Sequence, residues 1–494
     1  MTSKYLYEGS EWNIALIEKM WAAIESLSRS MGFDPYPSQL EIITAEQMLD
    51  NYSSVAMPIM YNHWSFGKTF LQNERQYVKG MQGLAYEVVI NTNPCIAYCM
   101  ENNTATLMAL VISHAAVGHS HFFKNNYLFK GWTDADTIID YLKFAKNYIK
   151  TCEEKYGAKR VEHLLDACHS LQAHGVDKYR KPARLSDELA AKKAEQWEEY
   201  AETTFNDIWR TLPKKKALAK WEDKPQDGLP EENLLYFIEK NSPILENWER
   251  EIVRIVRKVS QYFYPQRQTQ LINEGFATFT HHLLMTEMHD QGMIDDGSYL
   301  EFLECHTNVV AQRDWDSKYY NGINVYALGF AMLTDIRRIC EAPDEEDHKW
   351  FPDIAGNGKA LETILHIVEN YRDESFVQQF LSPKVAREFK LFSFKVQEGF
   401  DYLLVNATHD DDSFLQIRAS LAASYDLSRA IPQIEVVRVD WDTDRWLYLE
   451  HRTKNNCRLN YADMRETVHN IHRLWGFTVK MTYKDLDGNE LEDV

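Results

Sequence analysis

Two stretches, far apart in the chain, put imidazoles and a carboxylate where a buried helix should carry only apolar groups. The first is Ile112-Ser-His-Ala-Ala-Val-Gly-His-Ser-His-Phe-Phe123, preceded by Thr106-Leu-Met-Ala-Leu-Val-Ile112. The second is Ile272-Asn-Glu-Gly-Phe-Ala-Thr-Phe-Thr-His-His282. A core tolerates such groups only when they are partnered or hold a ligand, so any fold must bring partners to both. A regular helix turns about 100° per residue, so positions seven apart share a face roughly 10 Å apart along the axis. His114 and His121 are so spaced, with Gly118 between them, and Glu274 and His281 with Ala277 and Thr278 between. Each stripe reads polar, small, polar, which leaves room for an ion, a water or a substrate between two packed helices. His119 lies about 140° from His114 on a regular helix. It joins the same site only if Gly118 marks a distortion such as a π-bulge. Against all this stands the commoner role of a single core histidine, satisfied by a carbonyl.

The rest of the chain bounds the fold. Gly and Pro together make up about 7% of the 494 residues, against a usual share of about 12%. With so few breakers, long periodic segments read as helices. They are expected at 11–32, 40–52, 134–157, 158–174, 231–263, 298–312, 327–340, 359–371 and 383–390, with a polar loop at 123–132. A β-branched strand is expected at 86–91, just before the His114 helix. Tyr262-Phe-Tyr-Pro-Gln266 is expected to end its helix at Pro265.

Residues 176–232 are dense in charge and read as a solvent-exposed helical insertion. Beyond residue 400 the texture changes. A strand at 402–405, a helix at 413–424, strands at 434–440 and 445–451, a helix at 460–474 and a strand at 477–483 give β-α-β-β-α-β, the ferredoxin-like order. The expected fold is therefore α+β and predominantly α-helical. A large helical N-terminal domain (1–398) carries a small zincin-like strand region, and a ferredoxin-like domain follows (399–494).

The formal net charge of −20 disfavours nucleic acid and anionic membrane surfaces. No apolar run is long enough to span a bilayer, and Met-Thr-Ser-Lys-Tyr-Leu-Tyr-Glu-Gly lacks a signal-peptide core. Seven sparse cysteines suit a reducing cytoplasm. Imidazoles with a carboxylate suit zinc, manganese or iron. The candidate metal ligands are His114, His119, His121, Glu274 and His281, with His63, Glu87, His282 and His306 as secondary candidates. A strand, a His helix and a later helix with Glu274-Gly-Phe-Ala277 resemble half of a zincin core. The first helix departs from it, because His114 is followed by Ala115 and Gly118 stands four residues on, so His-Glu-x-x-His and its general base are missing. Glu87, His63 or Glu101 could supply the missing group from elsewhere.

Four stretches carry a family likeness. Asn62-His-Trp-Ser-Phe-Gly-Lys68, His114-Ala-Ala-Val-Gly-His-Ser-His-Phe-Phe-Lys-Asn-Asn126, Asn273-Glu-Gly-Phe-Ala-Thr-Phe-Thr-His-His282 and Ala327-Leu-Gly-Phe-Ala-Met-Leu-Thr-Asp-Ile-Arg-Arg-Ile-Cys340 resemble the stage V sporulation protein R (SpoVR) family. Arg445-Trp-Leu-Tyr-Leu-Glu-His451 and Leu474-Trp-Gly-Phe-Thr-Val479 fit it as well. The resemblance runs from about residue 8 to 485. It implies a bacterial cytoplasmic protein of sporulation, cell-envelope or stress regulation, linked to formation of the peptidoglycan cortex. It also implies partnership with a PrkA-type serine kinase and a von Willebrand factor A-like protein. It assigns no catalytic residue. Two roles follow: a regulator in the kinase pathway with a buried His/Glu metal site, or a zincin-like metal-dependent hydrolase with a non-standard His motif.

Overall fold

Long amphipathic periods and few breakers give a mostly helical chain with small sheets. A computed structural model describes residues 5–53, 57, 59–78, 87–178, 229–315, 317–391, 394–396, 403–405, 410–452, 459–484 and 490–493. Most of the expected charged insertion, 179–228, lies outside them.

Helix α1 (Ile14–Ser30) is followed by strand β1 (Ser38–Ile43), α2 (Ala45–Ser53) and α3 (Trp64–Val78). The segment expected as one helix over 40–52 therefore begins as a strand. Its first residues pair in parallel with β3 (Cys95–Met100), Leu40 opposite Ala97 and Ile42 opposite Cys99. Strand β2 (Glu87–Ile90) runs antiparallel on the other side of β3, so the order is β1-β3-β2.

The chain then turns into α4 (Ala105–Val111), with Thr104 capping it by accepting the Leu107 N–H. Residues Ile112–His119 continue it as a π-helix, and α5 (Ser120–Asn125) resumes the α-helical pitch. The region expected as a polar loop holds a further helix, α6 (Tyr127–Trp132). Asn126 starts it by accepting the Leu128 N–H. Two long helices follow, α7 (Ile138–Tyr156) and α8 (Ala158–Ser170), then α9 (Leu234–Asn241) and α10 (Asn247–Gln268). Pro265 does not end α10, which runs one more turn to Gln268.

Helix α11 (Gln270–Asp290) carries Glu274 and His281 through the middle of the largest apolar cluster. Its N-terminal N–H groups are met from outside the helix. The buried carboxylate of Asp373 accepts from Leu271 and Ile272, both at 2.9 Å. Negative charge there also suits the positive end of the helix dipole. Helices α12 (Asp296–Val309) and α13 (Val325–Glu341) pack beside it. The contacts leave no room for side chains. A Cβ on Gly275 would lie 2.5 Å from Gly329 Cα, and one on Gly329 would lie 2.5 Å from the Leu271 carbonyl oxygen. On the other face of α11, a Cβ on Gly118 would lie 2.7 Å from Ala277 Cα. Glycines at these positions let α11 sit against α13 and the π-helix at backbone distance.

Helices at Ala360–Asn370, Asp373–Phe380 and Pro383–Glu388 complete the large cluster. The middle one had no counterpart in the sequence reading. Strands β4 (Phe394–Val396) and β5 (Leu403–Val405) pair with each other. The expected ferredoxin-like order departs here, because β5 is not in the later sheet. The helix after it, Asp411–Ser424, packs on Asp373–Phe380, and Phe414 meets Trp350 at 4.9 Å. Four strands form the last sheet in the order β6-β7-β8-β9: Gln433–Val439, Leu447–Arg452, Val479–Lys484 and Glu490–Asp493. The β7–β8 pair is parallel, joined across the helix Tyr461–Trp475. Trp475, Ile471, Leu447 and Met481 share one apolar cluster with Leu165, Leu235 and Ile252 of α8, α9 and α10.

Changing Gly329 to Ala drives a methyl group into backbone and is expected to cost about 1–3 kcal/mol or more. Gly67, in α3 with nothing within 4 Å of a built Cβ, is the control, and there Ala is expected to stabilise by about 0.5–1 kcal/mol. Thermal unfolding of both variants checks the pair.

Burial holds His169 and His174 neutral and pushes both down to about 4, with His63 beside His169 and Lys178 near His174 reinforcing it. Only the unfolded chain takes up these protons near the usual imidazole value. Their contribution is complete above about pH 6.5 and is lost as pH falls from there toward 4. At about 1.4 kcal/mol per pKa unit, each is worth on the order of 3 kcal/mol. Melting temperature is expected to drop steeply between pH 6.5 and 4, and a flat profile there would contradict it.

Candidate metal centre

The π-helix decides the site. Its wider turn, with i to i+5 bonding, places residues five apart on one face. His114 and His119 are so spaced, and their rings meet edge to face at 4.7 Å. The close approach at Gly118 and Ala277 brings both against Glu274 of α11. His119 Nε2 lies 3.4 Å from Glu274 Oε2, and His114 Nε2 lies 3.9 Å from the same oxygen. The three donor atoms all fall within 4.8 Å of one another. Ligands held tetrahedrally at about 2.0–2.1 Å from zinc stand roughly 3.3 Å apart, so a small contraction would close this set around an ion.

Both imidazoles have the orientation that a ligand needs. His119 Nδ1 is 3.0 Å from Asn273 Oδ1. An amide oxygen only accepts, so Nδ1 carries the hydrogen and Nε2 faces Glu274. His114 Nδ1 is 3.0 Å from His281 Nδ1, and His281 Nε2 is 2.8 Å from His306 Nδ1. If His114 offers its Nε2 lone pair, the chain has one consistent proton arrangement. His114 Nδ1–H donates to His281, and His281 Nε2–H donates to His306. Such outer partners fix the tautomer and ring angle of a metal-binding histidine.

The electrostatics ask for a cation. Burial alone would lower the His119 pKa, but the Glu274 carboxylate, the bond to Asn273 and the Glu87 charge outweigh it and the net shift is upward. Burial pushes the Glu87 carboxyl up to about 7, with His119 opposing and Glu274 adding to the rise. Burial, then the His119 charge, holds His114 well below the usual imidazole value. His281 is driven far down as well, by burial and the surrounding imidazoles. The upward shift of His119 beside the Glu274 carboxylate marks a place that favours positive charge, as a metal ion there would supply.

Glu87 reaches the cluster from a different element. It stands on β2 with Oε1 3.6 Å from His114 Nε2. Two clefts meet at this point, and Glu87 and Tyr326 line both. One, of about 620 Å³, is walled by His114, His281, Asn308, Asn324 and Arg313. The other, of about 390 Å³, is walled by His119, Asn273, Glu274, Gln270 and Arg267.

The structure thus brings His114, His119, Glu274 and Glu87 together, with His281 and His306 behind His114. His282 lies beside His306, their rings tilted and centroids 4.8 Å apart. It sets two expected residues elsewhere. His121 turns to the opposite side, where its Nδ1 accepts the Asp34 N–H at 2.8 Å and its ring packs on Phe33 and Phe276. The seven-residue stripe fails for it because the π-turn rotates everything after Gly118. His63 sits in another cluster, 3.1 Å from Asp166 and against the His169 ring. Two further residues belong here, Asn273 and Tyr326. The sequence marks Asn273 only by its place next to Glu274 and gives no sign of Tyr326.

Residues 11–430 match the SpoVR like protein family, and residues 432–486 match the SpoVR-like C-terminal domain. The chain belongs to the SpoVR family. A curated relative, "Uncharacterized protein YcgB" of Escherichia coli (strain K12), is 50% identical over 487 residues, covering 98% of this chain and 95% of that protein. No solved structure matches. The boundary between the two SpoVR regions falls just before β6, where the four-stranded sheet begins.

Replacing His281 with Phe removes the acceptor behind His114 while keeping a ring of similar shape. Metal affinity is expected to fall about 10–100-fold, measured by competition with a chelating dye. His121→Ala, remote from the cluster, is expected to leave it unchanged.

Proposed function

We propose that this SpoVR-family protein is a metal-dependent hydrolase whose ion lies between His114, His119 and Glu274. The observation that carries the reading is the convergence of three protein donors at the meeting of two clefts. Structural zinc sites are closed by four protein ligands, whereas catalytic sites keep three and leave a position open. Two imidazoles and a carboxylate also suit manganese or iron. The ion, when bound, supplies Lewis acidity toward a substrate carbonyl or phosphoryl oxygen.

The missing glutamate of the first helix has a substitute in this reading. Glu87, held on β2 beside His114, is the general base. It takes a proton from water as the water oxygen bonds to the electrophilic carbon or phosphorus, and returns that proton to the leaving group. His281 and Asn273 hold the two imidazoles in place. Both imidazoles are buried, which strengthens the charges beside them.

Kinship carries the cellular part of the proposal. A SpoVR-type protein acts in sporulation, cell-envelope or stress regulation in the cytoplasm, in a pathway with a PrkA-type serine kinase and a von Willebrand factor A-like protein. Among the described residues no helix is long and apolar enough to cross a membrane. A second reading, a regulator without catalysis, is favoured by one feature: the His114–His281–His306 chain also satisfies a buried core without any metal.

Metal analysis of untagged protein purified without added metal separates them. Near one zinc, manganese or iron per chain is expected, lost in His119→Ala and Glu274→Ala. A metal-free wild type with both variants merely less stable would leave the regulator. Glu87→Gln is expected to keep the metal and to lower turnover about 10²–10⁴-fold.

A further inference from the structure

We infer that the substrate of this site is an extended polypeptide segment, taken up as an additional strand beside β2. The inference rests on the hydrolase reading and adds a substrate class to it. It begins with the parity of the three-stranded sheet. On β3, the Cys95 N–H goes to the Pro37 carbonyl at 2.7 Å, and the Glu101 N–H beyond its end goes to the Ile43 carbonyl at 3.0 Å. Odd-numbered residues therefore turn their backbone groups toward β1, and Ile96 and Tyr98 turn theirs toward β2. The register pairs Val88 with Tyr98 and Ile90 with Ile96. Val88 and Ile90 thus face the sheet, while Glu87 and Val89 point their backbone N–H and C=O groups outward from its edge.

Among the described residues no hydrogen bond reaches the outward side of Glu87 or Val89, and both residues are half-buried. Open edge groups are templates for another strand, and strand addition is a standard mode of peptide uptake. Here the edge is one wall of the 390 Å³ cleft that also holds His119 and Glu274. The same cleft is lined by Gln266, Gln270 and Arg267, whose N–H groups can donate to the carbonyls of a peptide. Alternate residues of a strand share a face and stand about 6.8 Å apart. A chain bonded to Val89 therefore runs past the Glu87 carboxylate, and with it past the cluster, within one dipeptide repeat. A compact metabolite would have no use for the outward pair on Val89.

The experiment uses the full chain carrying Glu87→Gln, so that bound peptide survives. A randomised peptide library is selected on it, and the best binder is N-methylated at each backbone nitrogen in turn. Methylation at every second nitrogen is expected to weaken binding at least about tenfold, and at the intervening ones to leave it unchanged, because only alternate N–H groups face the edge. Val89→Pro, a substitution that an edge position tolerates because its N–H faces outward, is expected to weaken binding similarly with metal content and melting temperature unchanged. Binding indifferent to the position of methylation overturns the inference, as does absence of peptide binding by protein with a full metal complement. Metal content of the same preparations keeps the two readings apart. Period-two peptide binding by metal-free protein overturns the hydrolase and leaves strand docking standing.

Discussion

Everything at the centre of this molecule depends on how closely three helical segments approach. Gly118 of the π-helix lies on Ala277 of α11, and Gly275 of α11 lies on Gly329 of α13. With any larger side chain the backbones would separate by the thickness of a methyl group or more. The imidazoles of His114 and His119 would then no longer reach Glu274. Close packing stabilises through dispersion and burial, and here it also sets the distances on which any chemistry depends.

The π-helix is the second part of that constraint. It is a less regular arrangement than an α-helix and is found most often at functional sites. In an unbroken α-helix, His114 and His119 would point in different directions, and His121 would take the place that His119 has. The extra residue in the turn swaps them. It gives His119 to the cluster and sends His121 to Asp34 and the aromatic rings of Phe33 and Phe276.

Buried imidazoles need partners, and the structure supplies those of the cluster in layers. Asn273 holds His119, His281 holds His114, and His306 holds His281. Asp373 meets the N-terminus of α11 from another helix. These bonds come from elements far apart in sequence, so the cluster can exist only in the folded chain. The same layers present one nitrogen of His114 and of His119 to Glu274 and engage the other behind.

The sequence by itself determined the helical class, the two segments that would face each other, and the residue types between them. It did so because periodicity and the scarcity of Gly and Pro act locally. It also marked Gly118 as the point where a regular helix would have to give way for His119 to join. It did not separate His119 from His121, because the choice rests on a turn of different pitch, held by packing against α11. It did not lift Glu87 above His63 either. That required the β1-β3-β2 order, which places an edge strand beside the π-helix, while His63, just ahead of α3, meets Asp166. The strand at 403–405 joined β4 rather than the later sheet for a similar reason. A strand's pattern specifies its faces, and only its neighbours in space decide which sheet it enters.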